Sequence, residues 1–230
     1  MRIMGCSITR NKLLLNSLFN LKVVDYKVKF APGIVMRRYF VDKKCLFIHI
    51  PKAAGKSVGL ALFDDDCPGH FMYRNYRNAD PRFFKNAFKF SFVRHPVKRF
   101  ISAYRYLKSG GGSDTDLLFS REVLTKYSDI NDFVENWLNV NTANSWIHFI
   151  PQHYFIFEKD KLMLDFLGRF ENLESDFKTI SLRIGASAKL PHVNKSATTT
   201  QDCVCLTDNS RVILENIYER DFELLGYSKT

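Results

Sequence analysis

The 230-residue sequence has no uninterrupted apolar run near the ~20 residues that a membrane-spanning helix needs. Its best attempt, LLLNSLFNLKVV at 13–24, is cut by asparagines and a lysine. No small-residue cleavage site follows closely, so a secretory signal is not expected either. Cysteine is scarce: Cys6, Cys45, Cys67, Cys203 and Cys205 form an odd set with no second close pair to complete a zinc site. Reduced thiols in a cytoplasmic setting are the expectation. Acidic residues are short of basic ones, 24 against 34, which leaves a formal charge of +10 and implies polyanionic partners of some kind. No internal repeat breaks the chain into modules. With 46% hydrophobic and 14% aromatic residues, one packed domain accounts for the length.

Residues 1–42 are weakly periodic and read as an N-terminal extension with a short helix near 11–21; residues 43–230 read as the main domain. CLFIHI (45–50) is a short continuous apolar run, the pattern of a buried strand, and Pro51 closes it. A helix follows from Gly55 or Lys56. FKFSFV (88–93) is a second such strand. Pro96 suits a first helical turn, and Val97, Phe100, Ile101, Tyr104 and Leu107 recur at helical spacing. YFIF (154–157) and FLGRF (166–170) read as further strands. Helices are expected at 116–126, at 130–139, at 171–184 ahead of Gly185, and from Thr207 or Asp208 to Leu225. Strands alternating with helices predict an α/β fold, a three-layer arrangement with a central, mostly parallel sheet.

The first strand–loop–helix reads FIHIPKAAGKS, and such a helix start is an anion site. Lys52 and Lys56 bring charge, Gly55 admits a phosphate to the backbone, and Ser57 offers a hydroxyl. The ATP-type loop G-x-x-x-x-G-K-[ST] is incomplete, because its first glycine would fall on Ile50. The second junction reads FVRHPVKRFISAYRY. Arg94 closes the strand, where open α/β sheets bind ligands, while Lys98, Ser102 and Arg105 share one helix face. Two anion sites on adjacent strand ends suit a nucleotide phosphorylated at both ends of its ribose. An ATP-dependent kinase with a degenerate loop and a non-enzymatic polyanion-binding protein are the alternatives.

HIPKAAGKS, then FVRHPVKRFISAYRY, GRFENLESDF and PHVNKS, in this order, resemble the sulfotransferases related to the Golgi carbohydrate sulfotransferases and their bacterial cousins. The resemblance covers the chain from about residue 45 onward. It implies the P-loop-like sulfotransferase fold and the donor 3′-phosphoadenosine-5′-phosphosulfate (PAPS), leaving 3′-phosphoadenosine-5′-phosphate (PAP) as product, with no metal. Lys52, Ala53, Ala54, Gly55, Lys56 and Ser57 match the loop for the 5′-phosphosulfate; Arg94 and Ser102 match the pair for the 3′-phosphate. Lys195, in PHVNKS, is expected near phosphate. Lys56 departs from the family, which more often has a small hydroxyl residue there. In such a transfer Lys52 is the candidate to stabilise the leaving phosphate oxygen. His70 matches the position of a histidine base in some members; His153 and the carboxylates Asp64, Asp65 and Asp66 are reserves. The expected partner is a hydroxyl-bearing acceptor, a carbohydrate rather than nucleic acid, met by the Gly110–Gly112 loop and the aromatic stretch NSWIHFIPQHYF (144–155).

Overall fold

A computed structural model describes residues 36–65, 68–190 and 205–229. The expected helix at 11–21, Asp66 and the PHVNKS segment with Lys195 lie outside the described residues.

Helix α1 (Arg38–Asp42) leads into strand β1 (Cys45–Phe47). After the 51–54 loop come α2 (Gly55–Phe63), α3 (Tyr73–Ala79), α4 (Pro81–Asn86) and β2 (Phe88–Val93). Helix α5 (Pro96–Lys108) is followed by α6 (Asp114–Glu122), α7 (Ile130–Asn136), α8 (Val140–Ser145) and α9 (His153–Ile156). A small antiparallel pair, β3 (Phe157–Glu158) and β4 (Lys161–Leu162), precedes β5 (Phe166–Arg169). Helices α10 (Leu173–Arg183), α11 (Asp208–Ile217) and α12 (Glu219–Leu225) complete the fold.

The central sheet has the order β1-β2-β5 and is parallel throughout, with Phe47 opposite Phe90 and Phe92 opposite Gly168. Continuous burial of β1 and of the C-terminal half of β2 is what a parallel sheet flanked by helices requires. Ser91 is fully buried in β2 and satisfies its hydroxyl by donating to the Ile48 carbonyl at 2.6 Å. One apolar cluster centres on the sheet and takes in Phe40 of α1, Val58 of α2 and Ile180 of α10. A second joins α5 to α6, α7, α8 and α11 around Phe100, Phe133 and Phe149. Among the described residues no helix is long and apolar enough to cross a membrane.

Three elements differ from expectation. The first strand stops at Phe47, although Ile48 N still donates to Phe90 O at 2.9 Å. Residues 153–156 form a helical turn, not a strand, because Asp221 caps it: its carboxylate accepts from the Gln152 and His153 N–H groups, each at 2.8 Å. The last helix breaks at Tyr218, whose hydroxyl is drawn to the Phe149 carbonyl at 2.7 Å. Its N-cap is Thr207, whose side chain accepts from Ser210 N.

Candidate active site

The parallel pairing of β1 and β2 sets their C-terminal ends side by side. The loop leaving β1 has left-handed backbone at two non-glycine residues, Lys52 (φ 67°) and Ala54 (φ 66°). Such alternation turns successive N–H groups into one concavity, a nest for an anion. Ala54 is the N-cap of α2 and supplies no side-chain cap, and a helix start is where backbone N–H groups gather to face an anion. Lys56 is exposed and Ser57 buried. Gly55 has a task that its sequence does not suggest. The His49 ring occupies the space where a Cβ would stand, so this glycine is required by an imidazole packed against it.

Arg94 directly follows β2, and its Nη1 lies 3.5 Å from the Lys52 carbonyl. The guanidinium rests on the Phe170 ring, 4.1 Å from the centroid, and its Nε is buried without a partner. The Gln152 amide clamps the Arg94 backbone from both sides: Oε1 accepts from Arg94 N at 2.9 Å and Nε2 donates to Arg94 O at 2.8 Å. Glu171 accepts from the next N–H, that of His95, at 2.9 Å. Ser102 is half-buried on α5, the helix that begins just after Arg94. The cations crowd one another. Burial first, then Lys56 and Arg94, bring the Lys52 ammonium down to about 8. Burial also lowers Arg94, with Arg105 and Arg99 adding to it against Glu171 and Tyr227.

Beside this cationic end lies a group of imidazoles. His70 is half-buried, with Nδ1 3.4 Å from the His49 carbonyl. A carbonyl only accepts, so Nδ1 carries the hydrogen and Nε2 the lone pair. Burial, then the neighbouring His148, push this ring down to about 3, so it is neutral at pH 7. His49 is lowered for the same first reason, with His70 next. His148, buried, donates from Nε2 to Asp116 Oδ1 at 3.1 Å. Asp116 Oδ2 accepts from the Tyr106 hydroxyl and from Gly112 N, each at 3.2 Å. The Tyr106 ring in turn carries the Lys52 ammonium, 3.9 Å from its centroid. Burial pushes the Asp116 carboxyl up, but hydrogen bonds from His148, Gly112 and Ser113 outweigh it and hold it below the usual carboxylate range.

The reserve bases stand in other company. His153 shares Asp221 with the helical cap, its Nδ1 2.8 Å from Oδ1. Asp65 accepts from the Tyr39 hydroxyl at 2.7 Å, and Asp64 is exposed. Most of the aromatic stretch is core: Trp146, Phe149 and Phe155 are buried, while Tyr154 is exposed.

Sequence reasoning missed Tyr106, Asp116, His148, Gln152 and Arg99. Arg99 is fully buried, and its guanidinium faces carbonyls: Ile150 at 2.7 Å, His148 at 3.1 Å, Pro51 and Phe149 at 3.5 Å. It ties the start of the 51–54 loop to the segment that carries His148 and Gln152. The sequence signals were the glycine run at 110–112 and the aromatic stretch at 144–155, which holds His148 and Gln152. A Cβ on Gly111 would enter the Asp116 side chain, so the run is shaped to that carboxylate.

Among the described residues no group of three or more His, Cys, Asp or Glu side chains could hold a metal ion. No curated protein and no solved structure matches the chain. The model of the sulfotransferase family matches residues 37–228 and so takes in the phosphate-type loop, Arg94 and the imidazole group together. A parallel sheet with two cationic strand ends, and a family match over most of its length, establish that this chain belongs to the sulfotransferase family.

Proposed function

We propose that this protein transfers a sulfuryl group from PAPS to a hydroxyl of a carbohydrate. The observation that carries the reading is the approach of Arg94 to the Lys52 carbonyl at 3.5 Å. Two anion-seeking strand ends set side by side suit one nucleotide with phosphate on both sides of its ribose. The residues present fit such a donor: an uncapped helix start, left-handed backbone at 52 and 54, and a half-buried arginine with an unpartnered Nε.

The donor, when bound, supplies an activated sulfuryl group whose departure leaves a phosphate oxygen. Lys52, whose ammonium lies on the Tyr106 ring, is assigned to meet the negative charge developing on that oxygen. The backbone N–H groups of Gly55, Lys56 and Ser57 and the turn at Ala53 and Ala54 hold the 5′ end. Arg94, with Ser102 and the exposed Arg105 on α5, holds the 3′-phosphate. Lys195 is assigned to phosphate on sequence grounds alone. His70, neutral at pH 7, presents the Nε2 lone pair and takes the hydroxyl proton as the acceptor oxygen bonds to sulfur. The glycine loop at 110–112 borders the acceptor. Positioning and charge carry the rest of the catalysis, as in phosphoryl transfer. We place the reaction in the cytoplasm, on the strength of the sparse, odd set of cysteines.

Calorimetry tests the donor. PAP should bind in the absence of divalent metal, Arg94→Ala should weaken it at least tenfold, and 5′-AMP should bind far more weakly. Equal affinity for 5′-AMP overturns the assignment. Magnesium-dependent ATP binding would point to a kinase instead, and heparin binding with no response to PAP to a polyanion-binding protein. For the base, His70→Ala should keep PAP affinity and lower turnover at least a hundredfold.

A further inference from the structure

The base and the cation of this reaction are joined through one carboxylate. Asp116 is buried at 6% exposure, and each of its oxygens meets a different aromatic side chain. Oδ1 accepts from His148, whose ring stands edge-on to His70 with centroids 5.8 Å apart. Oδ2 accepts from the Tyr106 hydroxyl, on whose ring the Lys52 ammonium sits. The two arms also touch: the Tyr106 and His148 rings are 5.1 Å apart. Gly112 N and the missing Cβ of Gly111 seat the carboxylate. A buried carboxylate is tolerated only where its oxygens are satisfied; here two of its partners lead to the two reacting ends.

We propose that Asp116 is a positioning residue that couples the two sides of the site, through His148 to His70 and through Tyr106 to Lys52. The roles at the two ends rest on the sulfotransferase reading; the link between them does not. His148 Nδ1 is buried without a partner, so this ring acts from behind His70 and not on the acceptor itself. When the hydroxyl proton moves to His70 Nε2, the new positive charge is opposed by Asp116, which stays ionised. The other charged or titratable groups around His70 are His49, His148 and Lys52; those around Lys52 are Lys56 and Arg94. Asp116 raises both Lys52 and His70, against burial and these neighbours. Its removal should therefore shift both downward.

The test is Asp116→Asn, read first without any donor. With lysines ¹³C-methylated, the Lys52 NMR resonance should titrate near 8 in the parent chain. In the variant the midpoint should fall by about half a unit. With PAPS and an acceptor, kcat should drop at least tenfold, both limbs of its pH profile should move to lower pH, and PAP affinity should hold. Tyr106→Phe keeps the ring and loses the hydroxyl, so it should move the Lys52 midpoint and leave the histidine limb. His148→Gln should do the reverse. These two variants carry the test if Asp116→Asn does not fold. An unmoved Lys52 midpoint in Asp116→Asn and Tyr106→Phe overturns the proposal, as does lower thermal stability with both limbs in place, which would make Asp116 a brace for the glycine loop. If the Lys52 midpoint follows Asp116 but PAPS is never used, the coupling stands and the sulfotransferase reading falls.

Discussion

On the proposed reading, Lys52, held at about 8, takes up a proton when the phosphates of the donor bind beside it. In the free protein Lys52 forms no ion pair among the described residues; its ammonium lies on the Tyr106 ring, with Lys56 and Arg94 among its neighbours. A bound phosphate would restore it toward the ordinary lysine value near 10.5. That difference of roughly 2.5 units corresponds to ~3 kcal/mol of interaction between ammonium and anion. At pH 9 the free side chain is ~10% protonated and the bound one ~97%, so PAP binding should take up about 0.9 proton. The phosphates of PAP, with second pKa values near ~6, are fully ionised at this pH and contribute nothing. The assay is titration calorimetry at pH 9 in two buffers of different ionisation enthalpy, whose difference in apparent heat gives the proton count. Affinity should fall by up to about tenfold per unit from pH 8 to 10. Lys52→Met should bind PAP with no linked proton. An uptake below about 0.2 in the parent chain, or the same uptake in Lys52→Met, would refute the placement of this ammonium against the ligand.

Three further outcomes follow from the same structure. His49 and His70 are both depressed, so below the ordinary value of 6.5 the unfolded chain binds protons that the folded one refuses; each ring should cost up to ~1.4 kcal/mol of stability per pH unit as pH falls, and urea unfolding at pH 7 and pH 5 reads the sum. His70→Gln should halve that slope. Arg99→Met leaves the carbonyls of Pro51, His148, Phe149 and Ile150 without their buried donor, at ~3 kcal/mol or more, which should lower Tm by roughly 10 °C in calorimetry; an unchanged Tm would show that the guanidinium is dispensable. Burial pushes the Cys45 thiol up to about 12, so a disulfide reagent at pH 8 should label exposed Cys205 in the folded chain and reach Cys45 only after unfolding.

What the sequence made legible was local. Two apolar runs, each ending near a proline and followed by a helix start, gave β1, β2 and the cationic loops, because chain direction and strand burial are written into consecutive residues. The helix at 153–156 was hidden because the carboxylate that caps it, Asp221, lies in α12. Tyr218 looks like one more helical residue until its hydroxyl is seen on Phe149 O. The Asp116–His148 pair spans 32 residues of sequence and has no motif spacing. Arg99 bonds to carbonyls, which every residue possesses, so nothing in its partners' identity marks it. Nor does the sequence show that Gly55 makes room for the His49 ring, a packing partner six residues before it.

These hidden contacts explain how the loop holds a shape that its residues resist. Left-handed backbone at Lys52 and Ala54 costs roughly 1–2 kcal/mol per residue, and neither is a glycine. Such strain persists only where surrounding structure over-determines it. Here the loop is gripped at both ends. Arg99 takes the Pro51 carbonyl before it, and the His49 ring fills the one space over Gly55 after it. The Arg94 guanidinium adds a third hold at the Lys52 carbonyl. The nest is therefore set before any anion arrives, and binding energy need not be spent on ordering it. Crowded cations are the remaining cost, and that cost is the one an incoming anion removes. On the proposed reading, a site strained in its backbone and repulsive in its charge, yet braced by a buried arginine and a packed imidazole, is completed by the doubly phosphorylated donor.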